Sequence, residues 1–383
     1  MNEWRDATLG DVLTLQRGFD LTEREATPGP FPVISSSGSK YSSDSAKVDG
    51  PGVITGRKGV LGKVHWSEGP FWPHDTTLWV KNFKGSYPRF VYYLLQTLPL
   101  AALDAGAANP TLNRNHAHLL PVRVPASVTT QVAIADTLRS FDDLIENNRR
   151  RVEVLEEMAR AIYREWFVKF RYPGHEAVTF VDSALGPIPD GWKVQSIGET
   201  AVNWDRRRRP LSKMQRVARR GEYPYYGAAK LIDRIDDWIF DGEYLLFAED
   251  GSVQTKEGFP FLQLVDGKFW ANNHTHILQG DSVSTRFLFL ACERLPILGY
   301  VTGAAQPKIT QANLNRIPLA IGPVGLHESF DRKVGPLFDQ TRNLRSQSDG
   351  LIAVRDLLLP KLVTGQIDVS TLNLDAQVEE VVA

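Results

Sequence analysis

The chain is poor in cysteine, in methionine and in net charge, and it holds no long apolar run. Its one cysteine, Cys292, excludes an intrachain disulfide and any zinc site built from several thiolates. The longest apolar stretch, near Phe287 to Cys292, falls far short of the roughly 20 residues that cross a bilayer. Met1 to Gly10 lacks the basic-then-apolar pattern of a secretory leader, so a soluble, cytosolic protein is expected. A formal charge of −1 excludes indiscriminate coating of nucleic acid. With 383 residues and 42% hydrophobic content the chain can bury two substantial cores, because domains commonly hold roughly 100 to 200 residues.

The small net charge hides a concentration. Arg206 to Arg220 carries eight basic residues (Arg206, Arg207, Arg208, Arg209, Lys213, Arg216, Arg219 and Arg220) and no acid, which leaves 36 basic against 45 acidic groups elsewhere. Phosphate binding follows the local field, so this stretch is a candidate nucleic-acid contact; any one of these arginines can equally be a solvated surface residue.

What the chain has in quantity is repetition. Trp4, Gly10 and Asp11 return 188 positions later as Trp192, Gly198 and Glu199. Asp49-Gly50 returns as Asp241-Gly242, Phe71-Trp72 as Phe269-Trp270, and Gly106-Ala107-Ala108-Asn109-Pro110 as Gly303-Ala304-Ala305-Gln306-Pro307. Solenoid periods run only to roughly 50 residues, so this is a duplicated domain. From Trp4 to about Pro125, and from Trp192 to about Pro323, short β-rich runs such as Gly52-Val53-Ile54-Thr55 and Tyr244-Leu245-Leu246-Phe247 alternate with Asp-Gly, Gly-Pro and Ser-rich turns. A helical interruption near Pro88 to Leu98 is matched by Thr285 to Arg294. Each module therefore reads as a mixed α/β globule.

After each globule the period changes. Leu138, Phe141, Ile145, Val152, Leu155, Ala159, Ile162 and Trp166 are spaced by alternating fours and threes, with Asn148 as a polar vacancy. That is the seam of a coiled coil. A helix over about 130–167 would reach roughly 60 Å at about 1.5 Å per residue. Leu337, Thr341, Leu344, Ser348, Leu351, Arg355, Leu358 and Leu362 repeat the spacing, with Pro360 forcing a kink or an end near it. Asn148 would fix register at some cost in stability. Either the two helices pair with each other, which the strict spacing favours, or each packs on its own globule.

These residues resemble a known family. Gly186-Pro187-Ile188-Pro189-Asp190-Gly191-Trp192, the ending Leu358-Leu359-Pro360-Lys361-Leu362-Val363-Thr364-Gly365-Gln366-Ile367, and Leu155-Glu156-Glu157-Met158-Ala159 look like the specificity subunit of type I restriction-modification systems. The resemblance implies an α/β (α+β) protein with two target recognition domains, each followed by a long helix, the helices pairing as an antiparallel coiled coil. On that basis 1–125 is the first recognition domain, 126–170 the first long helix, 171–189 a linker, 190–323 the second recognition domain, 324–368 the second long helix and 369–383 a tail. It implies double-stranded DNA with a bipartite site as ligand. Two methyltransferase subunits and motor-nuclease subunits are the implied partners, carrying S-adenosylmethionine, ATP and Mg, with no cofactor or metal on this chain. Residues alone support the same role, since two readers on a rigid spacer select two blocks at fixed separation.

DNA-contact candidates fall on loops, which can vary without disturbing a core. In the first module these are Arg57, Lys58 and Lys63, with Arg57 suited to a bidentate guanine contact. The matching stretch of the second module carries Glu249 and Asp250, suited to accept from cytosine, so the modules are expected to read different blocks. Both stretches can also be ordinary exposed turns. Further candidates are His74, Thr76 and Thr77, against Asn273, His274 and His276; Asn113 and Arg114, against Gln311; Tyr225, Tyr226 and Lys230, against Ser36, Lys40 and Tyr41; and the cations Lys256 and Lys308.

Apparent catalytic signals fail on inspection. Gly56 to Lys63 misses nucleotide-loop spacing, and Val64 replaces the magnesium-binding hydroxyl. Asn109-Pro110-Thr111 lacks the rest of an amino-methyltransferase tetrapeptide. Asp250 with Asp266-Gly267-Lys268 is a loose nuclease pattern that turns produce readily, and His274 with His276 lacks further metal ligands. A stand-alone methyltransferase or nuclease with diverged motifs, and a two-headed regulator, remain the alternatives.

Overall fold

A computed structural model describes residues 4–104, 110–251, 253–303 and 306–372. The repeated Gly-Ala-Ala motifs lie partly outside the described residues, as does Asn109. The chain forms two compact units. One comprises residues 1–150 and 344–383, the other residues 151–343. Each holds one globule and part of each of two long helices.

In the first unit a four-stranded antiparallel sheet runs in the order Thr14–Arg17, Thr77–Asn82, Gly52–Gly56, Val64–Ser67. A second sheet orders Gly38–Ser43, Phe31–Ser35 and Trp72–Pro73. The second unit repeats the first arrangement with Ala201–Asn203, Thr275–Gly280, Tyr244–Ala248 and Leu262–Val265. The central strands Gly52–Gly56 and Tyr244–Ala248 are buried at every residue, which explains why neither carries a charged side chain. The helix Pro88–Thr97 buries Phe90, Val91, Tyr93, Leu94 and Leu95 in one core, and Thr285–Glu293 buries Phe287, Leu288, Leu290 and Cys292 in the other.

The repeated glycine and acid have local causes. Asp11 accepts hydrogen bonds from the Thr8 backbone and hydroxyl (2.9 and 2.6 Å), and Glu199 from those of Ser196 (both 2.7 Å), closing the short helices Leu9–Val12 and Ile197–Thr200. A Cβ on Gly10 would stand 3.2 Å from His118, and one on Gly198 3.0 Å from Asn315, so glycine lets these turns approach without pushing the neighbour aside.

The first long helix spans Val128–Tyr163 and ends in a π turn, Arg164–Val168. The last spans Val324–Val363, running through Pro336 and three residues beyond Pro360. In the first unit Leu138 and Phe141 share a core with Leu351, Leu358 and Leu362. There Arg355 also bonds Asp142 at 2.8 Å. In the second unit Tyr163 meets Phe330 with ring centroids 6.3 Å apart, and Ile162 and Leu337 pack on the same cluster. Early positions of one helix thus meet late positions of the other, an antiparallel pairing. The two packing alternatives coexist, because Leu138 and Phe141 also touch the globule core of Leu94 and Phe90. Leu344 is buried, as are Val152 and the polar Asn148 and Thr341, while Ile145 and Leu155 are half-buried.

The segment expected as a linker is structured. Its strands Phe180–Val181 and Ile188–Pro189 pair, and Trp192 packs against Phe167, Phe170 and Tyr172 at 5.1–5.7 Å. Among the described residues no helix is long and apolar enough to cross a membrane.

Candidate nucleic-acid interface

In each module a short loop, the tip, joins the Phe-Trp segment to the second strand of the four-stranded sheet. The ladder fixes the correspondence between the two. Gly56 pairs with Thr77 in one module as Ala248 pairs with Thr275 in the other. The next residue, Arg57 or Glu249, donates its N–H to Thr76 O (2.8 Å) or His274 O (2.9 Å), and its carbonyl accepts from Leu112 (2.8 Å) or Ile309 (2.9 Å). Asp75 therefore corresponds to Asn273, Thr76 to His274, and His74 to Asn272.

This register corrects several sequence expectations. His74 matches the buried Asn272, one residue before Asn273. His74 Nδ1 lies 2.9 Å from the Thr76 hydroxyl, and Asn272 Oδ1 accepts from His274 N–H at 2.9 Å. Both side chains close the same turn. Thr77 is buried, its hydroxyl donating to His74 O. His276 lies inside, its Nδ1 2.5 Å from Asp205 and its Nε2 2.9 Å from Ile309 O. Tyr225 is a core ring whose hydroxyl accepts from Leu211 N–H, so it offers no surface to a ligand.

The charged pair chosen for base reading behaves differently in the two modules. Arg57 is half-buried, and its Nη1 donates to Asp75 O at 3.0 Å. Burial, then the neighbouring Arg17, lower its guanidinium from the usual value. Glu249, expected to accept from cytosine or to lie on an exposed turn, is 8% exposed, because its carboxylate holds Arg208 Nη1 at 2.6 Å and Lys308 Nζ at 2.9 Å. Asp205 completes this cluster. Burial would raise its carboxyl, but hydrogen bonds from His276 and Ile277 N–H and the charges of His276 and Arg208 hold it below the usual range. Glu249 is likewise pulled below its usual range by Arg208 and Lys308 against the cost of burial. Ligand atoms of Asp205, Glu249 and His276 lie within 4.8 Å of one another, but Arg208 and Lys308 already supply the cations, which argues against a metal there.

The basic run is also less free than its sequence. Arg216 bonds Asp233 (3.3 Å), Arg219 bonds Asp236 and Asp237 (2.9 and 3.1 Å), and Arg207 bonds Ile239 O (2.6 Å) over the rings of Trp204 and Phe240. Arg206, Arg209, Lys213 and Arg220 remain exposed.

Around the first tip, Arg17, Lys47 and Arg114 line an open cleft of about 630 Å³ with Gln16, Phe19 and Trp72. Sequence reasoning missed Arg17 and Lys47. Arg17 reaches Asp75 at 3.1 Å and Lys47 lies over the Trp72 ring at 4.8 Å, contacts for which the sequence carries no local signal. Lys58, Asn113 and Arg114 are exposed, Asn113 capping the helix Arg114–His118. Lys40 is exposed, Lys63 donates to Ser37 O (3.1 Å), and Tyr41 is half-buried with its hydroxyl on Leu21 O. At the second tip Asn273 is exposed and His274, half exposed, contacts Asp250 at 2.6 Å. Lys230, Lys256 and Gln311 are exposed, and Tyr226 packs on Phe269.

Two copies of one α/β frame, differing in the polar chemistry of their tips and each packed with segments of two long helices, define a duplicated α/β architecture. Known proteins carry the same plan. The type I restriction modification DNA specificity domain matches twice, over residues 1–157 and 189–325. The type I restriction enzyme MjaIX specificity subunit of Methanocaldococcus jannaschii is 26% identical over 309 residues, 75% of this chain and 71% of that protein. The type I restriction enzyme EcoDI specificity subunit of Escherichia coli is 24% identical over 168 residues, 43% of this chain and 35% of that one. The crystal structure of a type I restriction-modification S subunit from M. genitalium aligns over 94% of this chain and 96% of its own, with a TM-score of 0.64 at 16% identity, a likeness of fold. The chain belongs to the type I restriction-modification DNA specificity family. The stand-alone enzyme and regulator readings gain no support from these matches.

Proposed function

We propose that this chain is the DNA-reading subunit of a type I restriction-modification enzyme, each module reading one block of a split double-stranded site. The observation that carries the reading is a single backbone frame used twice with different polar residues at its tip, Asp75 and Thr76 against Asn273 and His274. Exposed cations near the first tip, among them Lys58 and Arg114, serve phosphates, and Asn273 and His274 serve base edges at the second. The paired helices fix the unread gap. The chain is not itself catalytic; methyltransferase subunits, two per chain, supply S-adenosylmethionine chemistry, and motor-nuclease subunits use ATP and Mg. The cytosol is the compartment where such an assembly meets DNA.

Mapping amino-group methylation across the host genome with and without the gene tests this. Loss of methylation at an interrupted motif is expected, and loss at an uninterrupted one overturns the two-block reading. Inserting four residues, about one helical turn, into the first long helix should alter the permitted gap or abolish activity. An unchanged gap removes the helices from that role.

A further inference from the structure

The two tips solve one problem by different means. The residue after the central strand donates its N–H to the loop and accepts from a third segment in both modules, with bonds of 2.8–2.9 Å. In the first module that residue is Arg57, whose guanidinium reaches Asp75 O directly at 3.0 Å. In the second it is Glu249, which cannot donate to a carbonyl. Its carboxylate instead anchors Arg208, brought from a different segment, whose Nη1 contacts Thr275 O at 2.7 Å and Asn273 O at 3.4 Å. Asp75 and Asn273 are the same position of the loop. A guanidinium therefore bonds the backbone of this loop in both modules, at Asp75 O in the first and chiefly at Thr275 O, two positions further along, in the second, from unrelated places in the sequence and although the ladder residue has reversed its charge.

We propose that Arg57 and Arg208 are positioning residues for DNA recognition, clamping the tip loop so that Asn273 and His274 in the second module, and the matching Asp75 and Thr76 in the first, meet the base edges in a set conformation. The inference rests on the DNA-reading role above. Charge-assisted hydrogen bonds suit such a clamp because they are short and directional. Arg57 directs one of its N–H groups to the loop, and the half-buried Arg208 is held among Asp205, Glu249 and the loop carbonyls, so both guanidiniums bear on the loop backbone. Lys308 bonds Glu249 from the far side, and the Asp250–Lys308 backbone bridge ties the same strand end.

The test uses the full chain assembled with its methyltransferase subunits, comparing Arg57→Ala, Arg57→Lys, Arg208→Ala and Asn273→Ala with the parent. Two readouts are taken: amide exchange over residues 74–77 and 272–275, and methylation of DNA libraries randomised in either block. Loss of a hydrogen bond to a charged group predicts exchange faster by about tenfold or more in the loop that lost its clamp. It also predicts discrimination weakened at every position of that block, with the other block intact. Arg57→Lys, whose ammonium still donates to a carbonyl, should recover part of both effects. Asn273→Ala should leave exchange unchanged and shift preference at one base pair. A single-base shift on Arg57→Ala with unaltered loop exchange would make Arg57 a reader and overturn the clamp. Faster exchange with both blocks read normally would overturn the loop's part in recognition. Should Arg208→Ala not fold, the half-exposed Arg57 decides the matter alone. Failure of the parent to methylate any split site would count against the DNA-reading role itself, while the exchange measurement still decides whether the guanidinium holds the loop.

Discussion

The first module keeps its tip charges at the surface, whereas the second has drawn them inside. Arg17 and Arg57 share Asp75 beside an open cleft. The residues 188 and 192 positions further on, Asp205 and Glu249, are buried with His276 and bonded to the half-buried Arg208, while the more exposed Lys308 reaches Glu249 from the surface. A strand ladder made of backbone bonds is indifferent to the sign of the side chain it carries, so one frame can support opposite electrostatics. The consequence is that equal-looking substitutions should have unequal costs.

The largest inequality is expected at Asp205 and its counterpart. Asp205→Ala leaves His276 Nδ1 and the Ile277 N–H without their acceptor and removes one of the two carboxylates paired with Arg208, and breaking a buried ion pair costs about 3–5 kcal/mol. Arg17→Ala, at a half-exposed pair, should cost no more than about 1 kcal/mol. Denaturant titration of the two variants checks this, and equal losses would break the contrast. The helices, in comparison, should be alike in both units. Leu351→Ala in the first unit should cost about 2–5 kcal/mol, with a similar loss for Phe330→Ala in the second, since both side chains are fully buried.

Acid should separate the modules more gently. Asp205 and Glu249 sit below their ordinary carboxyl range, so their stabilisation is complete above the unfolded values near about 4 and disappears as pH falls through the lower folded values. In the first module the matching positions carry arginine, not a carboxylate. The stability of Glu249→Gln should consequently depend less steeply on pH below about 4 than that of the parent; identical slopes would mean that this carboxylate contributes nothing. The smallest effect concerns Lys58, exposed beside the first tip. Lys58→Ala should weaken binding evenly across sequences and lower the salt slope by about 1, and a sequence-dependent loss would reassign it to base reading.

Much of the frame is legible in the order of the residues alone. The 188-residue recurrence of tryptophan, glycine and acid follows from two local devices, a carboxylate closing a helix entry and a glycine admitting a neighbouring turn. The heptad seam survives because helix pairing is written in spacing. The tips are harder to read. Whether Glu249 faces solvent depends on Arg208, 41 residues away, and whether His276 is free depends on Asp205, 71 residues away. No local pattern records such pairings. The one-residue slip between His74 and Asn273 has a similar origin, since a histidine and an asparagine close the same turn with different side chains. Pro336 lies inside the last helix where sequence rules disfavour it, because packing overrides local preference.

The most direct test transplants one tip onto the other. Changing Asn273 to Asp and His274 to Thr gives the second module the tip residues of the first, on a backbone already held in the same ladder. Methylation mapping with this variant should show the second block altered and the first block and the gap unchanged. Alteration of both blocks, or of neither, would contradict two modules that read independently through these loops.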